Sequence, residues 1–368
     1  MKKKLISVAM CVNKLDINGM STVIMNYCRY IDKDKFKVTV IAGSPIDIFY
    51  QEELRTVGIN FVEIAPKKTD ARGYYSDLYQ YLRKEKIDVF HLHGNSSLMS
   101  VELFIASICG IKIRIAHCHN TSCSNETLHR LLLPVFNKVY TKGIACSDAA
   151  GRWLFGGRDF SVIWNGFNQE QFVFNSKDRE CIRREIGVSN GFVIGHIGRM
   201  NEQKNQEFLL KVFSELSKVR NDVWLLLVGT GPSLSHLEDL VSSHEYKNRI
   251  ILYGETSTPE QLYSAFDIFA FPSKFEGFGM VMTEAQVNGL PCVASTEVPQ
   301  DVVISKNVKF LSISENDVST WAKEIDEIIN SCDVSHRGEL DNNALLRFDI
   351  KSNVQVLEDI YAEIIGAL

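Results

Sequence analysis

A chain of 368 residues exceeds what one hydrophobic core ordinarily serves, so two domains are expected. Apolar residues make up 45% and charged residues 23%, which excludes a disordered or collagen-like chain. The net charge of −5 hides an asymmetry, with 22 Lys and Arg against 15 Asp and Glu through Asn165 and 18 against 30 beyond it. A basic first half suits an anionic surface such as phospholipid or a pyrophosphate-linked acceptor, and equally suits a solvated face. No nucleic-acid partner is expected. Nine scattered cysteines, an odd number, imply a reducing compartment. The basic start Lys2-Lys3-Lys4 leads into a very short apolar run that ends at Asn13, Lys14 and Asp16, which reads as a first strand and not as a signal peptide. No window approaches the roughly 20 apolar residues of a membrane helix. The expected location is therefore cytoplasmic, with any membrane contact peripheral.

Short apolar runs alternate with amphipathic stretches, the pattern of βαβ units and parallel sheets. Strands are predicted over 4–10, 36–42, 60–64, 87–93, 111–117, 142–146 and 161–164, with helices near 20–31, 47–57, 73–85, 97–108, 125–138 and 148–155. Asn165-Gly166 breaks the pattern, and a polar helix over 176–186 follows. A second set of strands is expected over 192–198, 223–229, 250–253, 267–271, 292–295 and 308–311, forming a second doubly wound sheet. The domains are accordingly 1–165, 166–345 and a terminal segment, 346–368. Helical spacing of Leu346, Ile350, Val354, Leu357, Ile360, Tyr361 and Ile364 predicts one helix over about 344–366 that packs against something. Two α/β halves with a cleft between them make the cleft the default ligand site.

The stretch with the most chemistry runs from Phe271-Pro272-Ser273 through Glu276-Gly277-Phe278-Gly279-Met280 to Glu284-Ala285 and Gly289-Leu290-Pro291. A buried strand ends at Pro272, two glycines let the backbone approach a ligand, and a helix starts near Met280 and stops at Gly289. That helix start is a site for phosphate. Glu276 and Glu284 flank it, and carboxylates beside an anion are best aimed at sugar or ribose hydroxyls. Upstream, Gly198-Arg199 and Lys204-Asn205 place two cations in the loop after strand 192–198.

This segment resembles the E-x7-E motif of the retaining GT-B glycosyltransferases of family 4, and the Arg199 to Asn205 loop is similar to the family's G-R-x4-K-N element. The resemblance implies an α/β GT-B fold, two doubly wound Rossmann-like domains facing a cleft, with the terminal helix crossing back to the first. It implies that Glu284 binds the ribose hydroxyls and Glu276 the donor sugar. Gly277, Phe278, Gly279 and Met280 would line the diphosphate and hexose pocket. Arg199 and Lys204 would stabilise the departing nucleotide, so no metal and no cofactor is implied, only a nucleotide-diphosphate sugar as donor, UDP by family frequency. The first turn, Asp16-Ile17-Asn18-Gly19, resembles the family's glycine-rich donor turn but lacks its paired glycines, so the likeness is firmest at Gly19. The turn is not G-x-G-x-x-G, which argues against a dinucleotide dehydrogenase.

His117-Cys118-His119-Asn120 ends another strand and is too crowded for a spaced zinc set. The family places a histidine of this loop in the donor-sugar site; His119, followed by Asn120, is the first choice and His117 the second. His91 and His93 read as core or supporting residues, with a place facing the cleft toward the acceptor as the alternative, and Asp32-Lys33-Asp34 reads as a turn. The class, capsule and exopolysaccharide glycosyltransferases, implies a lipid-linked glycan acceptor and peripheral contact at the inner membrane face. The helix bearing Arg130-Leu131-Leu132-Leu133, with Lys138 and Lys142, is a candidate for that contact or a core helix. Two other classes remain open: a GT-B sugar-nucleotide epimerase and a non-catalytic subunit of a glycosyltransferase complex.

Overall fold

The computed structural model describes residues 5–16, 18–331, 337 and 340–366; the basic start of the chain, Ile17 and Cys332 lie outside them. The chain divides into two compact units, one running through Phe167 and resuming at Arg347, the other spanning Asn168–Leu346.

The first unit contains β1 (Ile6–Val12), α1 (Gly19–Tyr30), β2 (Phe36–Gly43), α2 (Ile48–Thr56), β3 (Asn60–Ile64), α3 (Ala71–Lys84), β4 (Val89–Gly94), α4 (Ser100–Ile108), β5 (Ile113–Cys118), α5 (Glu126–Val139), β6 (Lys142–Ala145), α6 (Asp148–Phe155) and β7 (Ser161–Val162). Its seven parallel strands run in the order β3-β2-β1-β4-β5-β6-β7. Central strands such as β1 are apolar on both faces because helices cover both sides, which is why they read as continuous runs. Asn18, Asp47, Asp70, Asn125 and Ser147 each cap the helix that follows with a side-chain oxygen.

The second unit contains α7 (Ser176–Glu185), β8 (Phe192–Ile197), α8 (Gln206–Ser217), β9 (Val223–Val228), α9 (Leu234–Ser243), β10 (Ile250–Gly254), α10 (Pro259–Ala265), β11 (Ile268–Phe271), α11 (Met280–Val287), β12 (Cys292–Ser295), β13 (Val308–Leu311), α12 (Val318–Ser331) and α13 (Asn342–Leu346). Six parallel strands run β10-β9-β8-β11-β12-β13. Both sheets are doubly wound, as the alternation of elements requires. In the second, the winding reverses between β8 and β11, the place where such sheets present ligands.

The terminal helix departs from the expected single helix over 344–366. It is broken into α13 and α14 (Ile350–Gly366), and Leu346 is 66% exposed. Asp349 accounts for the break, because its carboxylate takes the Ser352 amide at 2.8 Å and starts a fresh helix. The preceding Phe348 is buried edge-on against Trp164, which pulls the chain inward. α14 then packs on α1 in the first unit, with Glu358 accepting from the Asp32 amide at 2.7 Å.

Candidate active site

At the winding reversal of the second unit, the loop after β8 lies against the loop after β11. Three contacts strap them together: the Lys274 amide to Gln203 O at 2.8 Å, Gln203 Nε2 to Phe275 O at 2.9 Å, and Asn205 Nδ2 to Pro272 O at 3.3 Å. The strap brings Lys204 Nζ to Glu276 Oε1 at 2.6 Å, with the ammonium also 4.7 Å from the centre of the Phe271 ring. Both partners are largely buried, which strengthens their attraction over that of a surface pair. Arg199 is exposed, and among the described residues its guanidinium makes no hydrogen bond or ion pair. Thus the structure brings Lys204 onto Glu276 and leaves Arg199 reaching outward from the same loop.

Gly279 has φ +91°, and a Cβ there would sit 3.2 Å from the Phe271 ring. Only glycine holds that turn without strain, and it opens α11 with no side-chain cap bond among the described residues. Gly277, Phe278 and Met280 surround this helix start, and Phe278 is buried. One turn along, Glu284 is buried and accepts a hydrogen bond from the Tyr263 hydroxyl at 2.6 Å. Burial pushes its carboxyl up to about 7, against the lowering effect of that hydroxyl. His196, on β8, is buried under the site, its Nδ1 donating to Ala270 O at 2.9 Å.

In the first unit, Asn18 Oδ1 accepts from the Met20 and Ser21 amides at 3.0 and 3.1 Å. Those two first-turn amides of α1 are therefore already occupied, and nothing lies within 4 Å of where a Gly19 Cβ would stand. His119 follows the last residue of β5 and is partly exposed, while His117, within the strand, is buried. Register pairs His93 with His117, so four imidazoles line up on one face of β4 and β5. His93 Nδ1 and His119 Nε2 share a hydrogen bond at 2.9 Å, and His91 Nε2 and His117 Nδ1 another at 3.1 Å. His91 Nδ1 contacts the Tyr361 hydroxyl of α14 at 2.6 Å. Burial holds all four neutral, with His91 and His119 lowered to about 3 and His93 and His117 well below the usual histidine range.

Nitrogens of His91, His93 and His117 lie within 4.8 Å of one another, close enough to raise the question of a metal. The rings stack instead of converging: His91 and His93 are 4.2 Å apart at 26°, and His91 and His117 are tilted by 6°. Two of those nitrogens, His91 Nε2 and His117 Nδ1, are already hydrogen-bonded to each other, so the rings form a hydrogen-bonded ladder. Cys118, next in the strand, donates to Asn120 O at 3.3 Å.

Sequence reasoning missed Tyr263, which belongs to no motif, and the Gly229-Thr230-Gly231 turn after β9. Gly231 presses its backbone on Met200, where a Cβ would stand 2.3 Å from Met200 O, and Gly229 does the same to Gly198 O at 2.2 Å. Their signal was the G-x-G spacing immediately after a strand.

Residues 17–171 match the model of Glycosyltransferase Family 4, and residues 178–346 that of Glycosyl transferases group 1. The chain is 28% identical over 359 residues to EpsF of Bacillus subtilis (strain 168), covering 93% of each. It is 24% identical to the UDP-Gal:alpha-D-GlcNAc-diphosphoundecaprenol alpha-1,3-galactosyltransferase of Escherichia coli, covering 95% of each. Among solved structures, Anabaena Alr3699/HepE in complex with UDP and glucose superposes with a TM-score of 0.81 over 99% of this chain and 100% of that one, at 21% identity. That likeness bears on the fold, which is GT-B. With a family 4 domain followed by a group 1 domain, the chain belongs to the family 4 glycosyltransferases.

Proposed function

We propose that this glycosyltransferase takes a hexose or N-acetylhexosamine from a UDP-sugar and passes it, with retention of anomeric configuration, to a lipid-linked glycan in capsule or exopolysaccharide synthesis. The observation that carries the reading is the 2.6 Å Lys204–Glu276 contact beside the uncapped start of α11. The backbone of Gly277 to Met280 cradles the diphosphate, Glu276 orients the hexose and Glu284 takes the ribose. As the bond from C1 to the diphosphate breaks, its electron pair stays on the phosphate oxygen, and Lys204 and Arg199 offset that charge. The acceptor oxygen bonds C1 from the same face, and its proton passes to the departing phosphate. These cations do what a divalent metal does elsewhere, so neither metal nor cofactor is needed. We assign His119, neutral, to the donor sugar on the family resemblance alone. The donor and lipid-linked acceptor named for the Escherichia coli relative support both substrate classes, and the UDP and glucose in the Anabaena structure support the donor class.

Lys204→Ala and Arg199→Ala are each expected to lower turnover at saturating donor by roughly 10² to 10³, the cost of removing one preorganised charge-stabilising group. Proton NMR of the product is expected to show the donor's anomeric configuration, and excess EDTA to leave the rate unchanged. Wild-type turnover in both variants would overturn the residue assignment. Conversion of the donor with no acceptor present would mark an epimerase, and absence of nucleotide release with every acceptor a non-catalytic subunit.

A further inference from the structure

We infer that Tyr263 is the positioning residue of the nucleotide's ribose subsite: its hydroxyl fixes the Glu284 carboxylate in place for the ribose diol. The inference rests on the reading of Glu284 as the ribose acceptor. Tyr263 is fully buried on α10, with its ring among Phe172, Phe266 and Phe269 at 5.8 to 5.9 Å between centres. Phe alone would fill that apolar slot; the hydroxyl reaches out of it to Glu284 Oε2 at 2.6 Å. A hydroxyl that donates to one carboxylate oxygen stops the carboxylate from rotating and leaves the other oxygen for ligand hydroxyls.

The same contact acts on charge. Burial is the largest influence on Glu284 and favours the neutral acid; Tyr263 opposes it most, Lys204 from the loop after β8 opposes it less, and Glu260 of α10 reinforces it. Cys292 of β12 faces Tyr263. Glu170 and Asp301, on the short turns at Gln169–Phe172 and Gln300–Val302, are exposed. Without the Tyr263 hydroxyl, the neutral form prevails at pH 7, and a protonated carboxyl has lost half its capacity to accept from a diol.

Tyr263→Phe tests this, because it keeps the ring and removes one oxygen. The full-length enzyme's KM for UDP-sugar at pH 7 is expected to rise about tenfold with kcat within about twofold, and the deficit to shrink as the pH is raised to 9. UDP affinity by calorimetry gives a second readout, since the variant is expected to lose little further affinity for 2′,3′-dideoxy-UDP, which has no diol to bind. Glu284→Gln separates the two claims. If it leaves donor KM unchanged, the ribose reading itself fails. If it raises KM but Tyr263→Phe shows the wild-type pH profile, or an equal loss at every pH and with the dideoxy nucleotide, then Tyr263 is only packing and the inference fails.

Discussion

Two groups, one in each unit, are shifted in opposite directions by burial. Glu284 has its carboxyl pushed up to about 7, while His119 is held neutral down to about 3. A group acts on a pH profile only where it changes charge. Between pH 6 and 9, kcat at saturating donor is therefore expected to be flat, while kcat/KM for the donor falls as the pH drops through about 7, where Glu284 takes a proton. A histidine limb in kcat that vanished in His119→Asn would show that imidazole to be titrating and its neutral placement to be wrong. At this scale the sequence was most legible where chemistry and backbone coincide, as at Gly279, whose positive φ and helix-opening position follow from a glycine before a helical run. It was illegible where partners meet across the fold. Nothing in the local pattern says that Tyr263 reaches Glu284 21 residues on, or that pairing β4 with β5 brings His93 within hydrogen-bonding reach of His119.

Period and punctuation predict most element boundaries to within two residues, because parallel strands buried on both faces are unbroken apolar runs. The terminal helix is broken where its spacing predicts continuity, because Asp349, a cap, sits inside a run that is otherwise helical. The outer faces of α4 and α5 raise a different point. The two helices are neighbours, and Val101, Phe104 and Ile108 on one and Leu131 and Val135 on the other are exposed, Phe104 by 51% and Leu131 by 71%. Positions 101, 104 and 108 fall on a single stripe, so exposure here is a face and not scatter. Exposed Arg130 and Lys138 share α5, and Lys112 follows α4, against one exposed acid on these helices, Glu126. An apolar stripe edged by bases suits an anionic bilayer, the surface on which a lipid-linked acceptor would be presented. Among the described residues no helix is long and apolar enough to cross a membrane. The double variant Phe104→Glu/Leu131→Glu is expected to bind vesicles containing phosphatidylglycerol at least about tenfold more weakly, with turnover on a water-soluble acceptor unchanged. Equal sedimentation of wild type and variant with those vesicles, or a wild type that stays in the supernatant, would remove the membrane from this face.

The two units of the molecule share a fold and differ in what they bury. The first holds four neutral imidazoles, His91, His93, His117 and His119; the second holds His196, lowered to about 4, and Glu284. For a histidine whose folded value is depressed, the unfolded chain takes up a proton near 6.5 while the native chain does not, so stability present above that pH is lost as the pH falls. At pH 5.5 the loss is about 1.4 kcal/mol for each such group, set by the ordinary value alone once the folded value lies well below. Four of them sum to roughly 6 kcal/mol, a large share of the 5–15 kcal/mol that holds a typical domain folded. In the second unit the two effects oppose. Glu284 has a folded value above its ordinary 4.5, so the native state binds the extra proton and gains stability as the pH falls through about 7, offsetting the cost of His196. Acid should therefore loosen the first unit while the second holds. In hydrogen exchange of the full chain, corrected for the intrinsic effect of pH, protection in β4 and β5 is expected to fall at least about a hundredfold between pH 7.5 and 5.5, while that in β8 and β11 changes by less than about tenfold. Protection falling in parallel in both sheets, or persisting in β4 and β5, would mean that the stacked imidazoles are not held neutral and that their hydrogen-bonded ladder accepts protons without cost.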